Sequence, residues 1–121
     1  MTLDALRTLC LALPGATEAM PFGPDALVFK VRGKMFALTN LERLPRTVAL
    51  KGAPEDNLDL RERYGVAGAF HMNKRHWTDV PLRGAVPDGV LRELVGASHA
   101  LVVAGLPQRE RDALEAESAS G

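Results

Sequence analysis

The sequence has a single cysteine, Cys10, so it cannot close an internal disulfide. That excludes a fold stapled by bridges and points to a reducing compartment. No run approaches the roughly 18 apolar residues a spanning helix needs, which argues against a helical membrane protein. The opening residues Met1-Thr2-Leu3-Asp4 lack the basic and then apolar character of a secretory signal, so a cytoplasmic location is expected. There is no net charge, 15 Lys and Arg standing against 15 Asp and Glu, and this counts against a strongly basic nucleic-acid binder. No internal repeat is visible, and the glycines, Gly33 included, form no phosphate-cradling pattern.

What is present fits one globular domain. The chain has 121 residues, 46% apolar and 25% charged, enough to bury a core unaided. Its neutrality conceals an uneven layout. From Lys30 to Arg83 there are 11 basic and 6 acidic residues, whereas the two ends together carry 4 basic and 9 acidic ones. The middle of the chain is basic.

Leu3, Leu6, Leu9, Cys10 and Leu13 recur at helical spacing after a capping Thr2, and Pro14-Gly15 ends that helix. Ala16–Asp25, with two prolines and a glycine, is expected to be an ordered loop that plugs Phe22 into the core or forms the rim of a site. Strands follow at Leu27–Val31 and Lys34–Thr39. A two-residue turn at Arg32-Gly33 would pair Phe29 with Phe36 and Leu27 with Leu38 on one face, and Val28 with Ala37 and Lys30 with Met35 on the other. Arg is not a favoured residue for such a turn. Thr47–Lys51 reads as a third strand, and Pro54 opens a short helix reaching Tyr64. Two strands, Ala69–Met72 and Trp77–Leu82, flank a turn at residues 73–76. The last helix spans Pro87 to Ala104, with Leu91, Leu94, Val95, Ser98 and Val102 on one face. The expected class is α+β, a two-layer sandwich of about five antiparallel strands with helices on one face. Residues 1–107 form the domain, and the polar stretch 108–121 is expected to fray.

The most distinctive stretch is His71-Met72-Asn73-Lys74-Arg75-His76-Trp77. Lys and Arg suit phosphate, Asn suits a base edge and Trp suits stacking. The same residues also suit a polar turn beside a core-anchoring Trp. His71 and His76 would need further ligands to hold a metal, and Asp79 is the nearest candidate, so no metal is expected. Cys10 reads as core, since no orienting third group accompanies it. No cofactor and no catalytic residue is expected, so the chain does not read as an enzyme.

At the heptapeptide the chain resembles the MmcQ/YjbR family of small bacterial proteins. The resemblance runs from the first helix to Leu106-Pro107. It is carried by Leu13-Pro14-Gly15-Ala16-Thr17-Glu18, Pro21-Phe22-Gly23-Pro24-Asp25, Val28-Phe29-Lys30-Val31, Gly33-Lys34-Met35-Phe36-Ala37, the His71–Trp77 heptapeptide, Val86-Pro87-Asp88, and Ser98 with Leu101-Val102. It implies a frataxin-like two-layer sandwich and a role in binding duplex DNA through a double-wing arrangement of hairpins. In that role Arg32, Lys34, Lys74 and Arg75 would meet backbone phosphates, and Asn73, His76 and Trp77 would meet bases or sugars. Two departures stand out: Ala53 occupies the position where an Asp would cap the second helix, and the tail beyond Pro107 is long. The rival expectation is a non-catalytic module for a protein or small ligand, using the His71–Trp77 segment and the Phe22 loop, as a monomer or weak homodimer.

Overall fold

The computed structural model describes residues 1–70 and 72–120, with the side chains of Ala119 and Ser120 outside that description, along with all of His71 and Gly121. Helix α1 runs over Leu3–Leu11, and the Thr2 hydroxyl caps it by accepting from the Ala5 N–H. Leu6 and Cys10, on its inner face, are fully buried. Burial pushes the Cys10 thiol up to about 12, which leaves it a core side chain without thiolate character at neutral pH.

The strands are β1 (Ala16–Ala19), β2 (Ala26–Val31), β3 (Lys34–Asn40), β4 (Thr47–Lys51), β5 (Ala67–Gly68) and β6 (Trp77–Pro81). They form one antiparallel sheet in the order β1-β2-β3-β4-β6-β5. Helices α2 (Pro54–Tyr64) and α3 (Asp88–Ala104) join α1 in covering one face. Phe29, Phe36, Val48, Leu50, Val80, Leu91 and Val95 fill the space between the layers. The expected α+β two-layer architecture is the one found.

Several details differ from the sequence reading. The sheet has six strands because residues 16–19, read as loop, pair with β2 from Ala16↔Val31 to Ala19↔Val28. Four small or polar residues carry almost no strand signal of their own, and the pairing comes from β2. The strand before β6 is only Ala67–Gly68, earlier and shorter than expected. Residues 69, 70 and 72–76 lie in turns and loop instead of in a strand and a hairpin tip.

The β2–β3 register follows the expectation only at the turn, where Val31 pairs with Lys34 and Lys30 with Met35. Beyond it Phe36 is an extra residue, so Phe29 pairs with Ala37 and Val28 with Leu38. This bulge turns Phe36 and Ala37 toward the helices together, with the Phe29 and Phe36 rings 6.5 Å apart. Leu38 is rotated to the other face and is only half-buried. The β3–β4 register runs through Ala37↔Leu50 and Leu38↔Ala49, and next to it α3 supplies a side-chain bridge between the strands. The buried Ser98 hydroxyl donates to the Phe36 oxygen at 2.6 Å and accepts from the Lys51 nitrogen at 2.9 Å.

The stretch expected to fray is helix α4, Gln108–Ser120. Its one large apolar residue, Leu114, is buried in the core cluster that includes Val31 and sits close to Gly15. Gly15 has φ +68 and leaves the space that the Leu114 methyl fills. A helix polar nearly all round thus docks through one leucine and through ion pairs from Arg32.

Candidate functional site: the open face of the sheet

Among the described residues no helix covers the second face of the sheet. Its pleat presents Ala26, Met35, Leu38 and Asn40 from β2 and β3, Thr47 and Ala49 from β4, and Trp77 and Asp79 from β6. These line a groove of about 600 Å³. One wall is Phe22, from the loop after β1. The other is built from Phe70, Met72 and Asn73 of the β5–β6 loop and from Arg43 of the β3–β4 loop. Phe22 is therefore not plugged into the core; it is 72% exposed, and Phe70 is 62% exposed. Both stand at the rim of the groove, so the expectation that this loop plugs Phe22 into the core does not hold.

The polar groups of the groove have a definite arrangement. Asp79, at 14% side-chain exposure, is its one carboxylate. Arg43 Nη1 donates to Asp79 Oδ2 at 3.5 Å, and the Phe70 N–H donates to the same oxygen at 3.4 Å. The Arg43 guanidinium also lies over the Phe70 ring, 5.8 Å from its centroid.

The β5–β6 loop is held by α2 from behind. The Arg61 guanidinium donates to the carbonyls of Lys74 and Trp77 and to the Thr78 hydroxyl. The Asn57 amide donates to the carbonyls of Gly52 and Arg75, each at 2.9 Å. Asn73 shapes the turn: its side-chain oxygen accepts from the Arg75 N–H at 3.0 Å, and its carbonyl accepts from the N–H groups of His76 and Trp77. Trp77 is more buried than exposed and forms part of the groove floor. His76 is half-buried. Lys74 and Arg75 point outward, exposed, the stem of Lys74 lying along Gly68.

The other expected contact residues lie at the β2–β3 turn. That turn and the β5–β6 loop share one end of the sheet, because Lys51, next to the β3 start, pairs with Trp77. Strand β4 separates them, placing β3 and β6 about 10 Å apart. Lys34 is exposed. Arg32 is engaged: its guanidinium pairs with Glu110 at 2.6 Å and Glu117 at 3.0 Å of α4. It leans toward the helix layer, away from Asn73 and Trp77. Among the described residues no group of three His, Cys, Asp or Glu side chains gathers to hold a metal, and no helix is long and apolar enough to cross a membrane. The His71–His76 pair falls partly outside the described residues.

Sequence reasoning named Asn73, Trp77 and the Phe22 rim but missed Arg43, Leu38, Ala49 and Phe70. The strand alternation Thr47-Val48-Ala49-Leu50 and Trp77-Thr78-Asp79-Val80 does mark a second face of small and polar residues. What it does not show is that nothing covers that face.

The YjbR family model matches residues 11–101, a stretch that holds every residue lining the groove. The chain belongs to the YjbR family. It is 35% identical to the protein YjbR of Escherichia coli strain K12 over 115 residues, 94% of this chain and 98% of that one. It is equally 35% identical to YbdF of Escherichia coli O157:H7 over 109 residues, 89% of each. Among solved structures it is similar to a Deinococcus radiodurans protein with a DUF419 domain, at 39% identity and a TM-score of 0.88, covering 94% of this chain and 88% of that one. A Pseudomonas syringae protein matches at 26% identity and a TM-score of 0.73, covering 84% of this chain and 98% of that one. In this YjbR protein the groove and its two phenylalanine rims thus fall within the shared part of the fold, whereas α4 lies beyond the stretch that the family model matches.

Proposed function

We propose that this YjbR protein is a non-catalytic, cytoplasmic binding module that holds a small organic ligand in the groove on the open sheet face. One observation carries the reading: a groove of about 600 Å³, in the size range of ligand sites, is floored by Met35, Leu38, Ala49 and Trp77 and rimmed by two exposed phenylalanines. Exposed rings at one concavity on a small domain are a recognition feature more than a packing one. The test is a screen of small organic compounds by protein-observed NMR. Binders are expected to shift the amide signals of Leu38, Ala49 and Asp79 and to lose affinity in Phe22→Ala and Phe70→Ala. Binders that shift only signals on the helix face, or no binders at all, would remove this reading.

Duplex-DNA binding is the second reading, favoured by Lys34, Lys74 and Arg75 projecting at one end of the sheet with no ion pair among the described residues. Fluorescence anisotropy on a labelled duplex separates the two. Three phosphate contacts give a log-log salt slope near −3, at about −0.9 per contact. Absence of binding at low salt would leave the groove alone.

A further inference from the structure

The lower end of the groove, where β3 ends and β4 begins, is built to receive an anion; this inference rests on the groove being the ligand site. Asn40, Arg43 and Thr47 all line that end. Arg43 is positioned from two sides, by the Phe70 ring at 5.8 Å and by Asp79 at 3.5 Å. The ion pair is long, and it uses one of the five N–H donors of the guanidinium. The side chain is still 52% exposed. Asn40 has its side-chain oxygen occupied by the Glu42 N–H at 2.9 Å, which leaves its two amide donors without a partner among the described residues. The Thr47 hydroxyl likewise has no partner among the described residues, while the Thr39 hydroxyl donates to the Thr47 backbone carbonyl. Asp79, the one carboxylate present, already has its charge offset by Arg43. Unused donors therefore outnumber unused acceptors at this end, while Ala26, Met35, Leu38, Ala49 and Trp77 make the rest of the surface apolar.

We propose that the groove takes a monocarboxylate with an apolar body. The carboxylate sits on the free edge of the Arg43 fork, within reach of Asn40 and Thr47, and the body lies on the floor beside Trp77. A guanidinium edge matches a planar carboxylate with two parallel hydrogen bonds. Because Asp79 already shares the Arg43 charge, the site holds its anion by unused N–H and O–H donors, which suits the single charge of a carboxylate better than the two of a phosphate monoester.

The chain's one tryptophan, Trp77, reports on the floor directly. Phenylbutyrate, phenylbutanol and phenylbutylamine share one body and differ in head group, and none absorbs where Trp77 is selectively excited. The acid is expected to change Trp77 fluorescence and to bind at least about tenfold more tightly than the alcohol, the worth of one charge-assisted pair. Arg43→Gln should abolish that preference with the melting midpoint unchanged, and Asp79→Asn should keep or strengthen acid binding. Equal binding of acid and alcohol, or an acid preference that survives Arg43→Gln, would overturn the proposal while leaving the groove as a site. So would tightest binding by the amine, lost in Asp79→Asn. If none of the three perturbs Trp77 or shifts the groove amides, the groove reading itself falls.

Discussion

Single atoms decide much of this fold. The Ser98 hydroxyl is a buried polar group on α3 beside the buried His99, and it joins the Phe36 carbonyl of β3 to the Lys51 N–H of β4. Ser98→Ala leaves a buried donor and a buried acceptor unpaired, each at a cost of roughly 1–3 kcal/mol. We expect a loss of at least about 2 kcal/mol in denaturant titration, with Ser98→Thr milder than Ala if its hydroxyl keeps both bonds. Cys10 makes a second prediction. Because burial raises its folded-state pKa from 9.0 to about 12, the folded protein holds that proton longer than the unfolded chain does. The stability this adds is complete below pH 9 and is lost as pH rises toward 12. The stability gap between the wild type and Cys10→Ala should narrow across that window, and thiol reagents should label Cys10 at neutral pH only at the rate of unfolding.

The elements show where local preference is overruled. Helix α2 starts at Ala53 with no side-chain cap. Ala53→Asp adds an acceptor for the exposed N–H groups and a charge that suits the helix start, although Glu55 and Asp56 nearby offset part of the gain. It should raise stability by about 0.5–1 kcal/mol, read as a higher melting midpoint. Helix α4 is the opposite case, a polar segment that would not be helical alone but is docked by Leu114 and Arg32. The β2–β3 turn holds Arg32 at φ +50 and Gly33 at φ +79, the left-handed pair of a type I′ turn. Arg is an unfavourable choice there on backbone grounds, and its two glutamate partners explain its presence. Leu114→Ala should cost about 2–3 kcal/mol and increase hydrogen exchange throughout α4 while sparing β2 and β3. Uniform exchange changes across the sheet would instead make α4 part of one cooperative unit.

At the scale of the whole molecule, the charge layout becomes a statement about surfaces. The acidic C-terminal end folds back on the basic middle and engages Arg32, so the basic middle presents fewer free cations than the sequence count suggests. A phosphate-binding end would then use Lys34, Lys74 and Arg75. In the Glu110→Gln, Glu117→Gln double variant Arg32 is released, and any duplex binding should steepen in its salt slope by about one further contact, near −0.9. An unchanged slope would show that Arg32 meets no phosphate even when free.

Local signals were enough for α1 and α3, whose apolar spacing records a buried face, for α2, which Pro54 opens, for β4 at its observed limits, and for the two-layer class. The heptapeptide and the Pro21–Asp25 loop also stood out locally, as clusters of residue types that packing alone does not require. The rest depended on long-range pairing. Residues 16–19 became a strand because β2 offered a free edge. Phe36 became the extra residue of a bulge in the β2–β3 ladder, with its ring packed 6.5 Å from that of Phe29. The tail became a helix because Gly15 left room for Leu114. The groove needed the most tertiary information, since Phe22, Leu38, Arg43, Phe70 and Asp79 come from separate segments and meet only across a face that no helix covers. Alternation along a strand tells which residues share a face; whether that face meets a helix or water is settled only when every element has been placed.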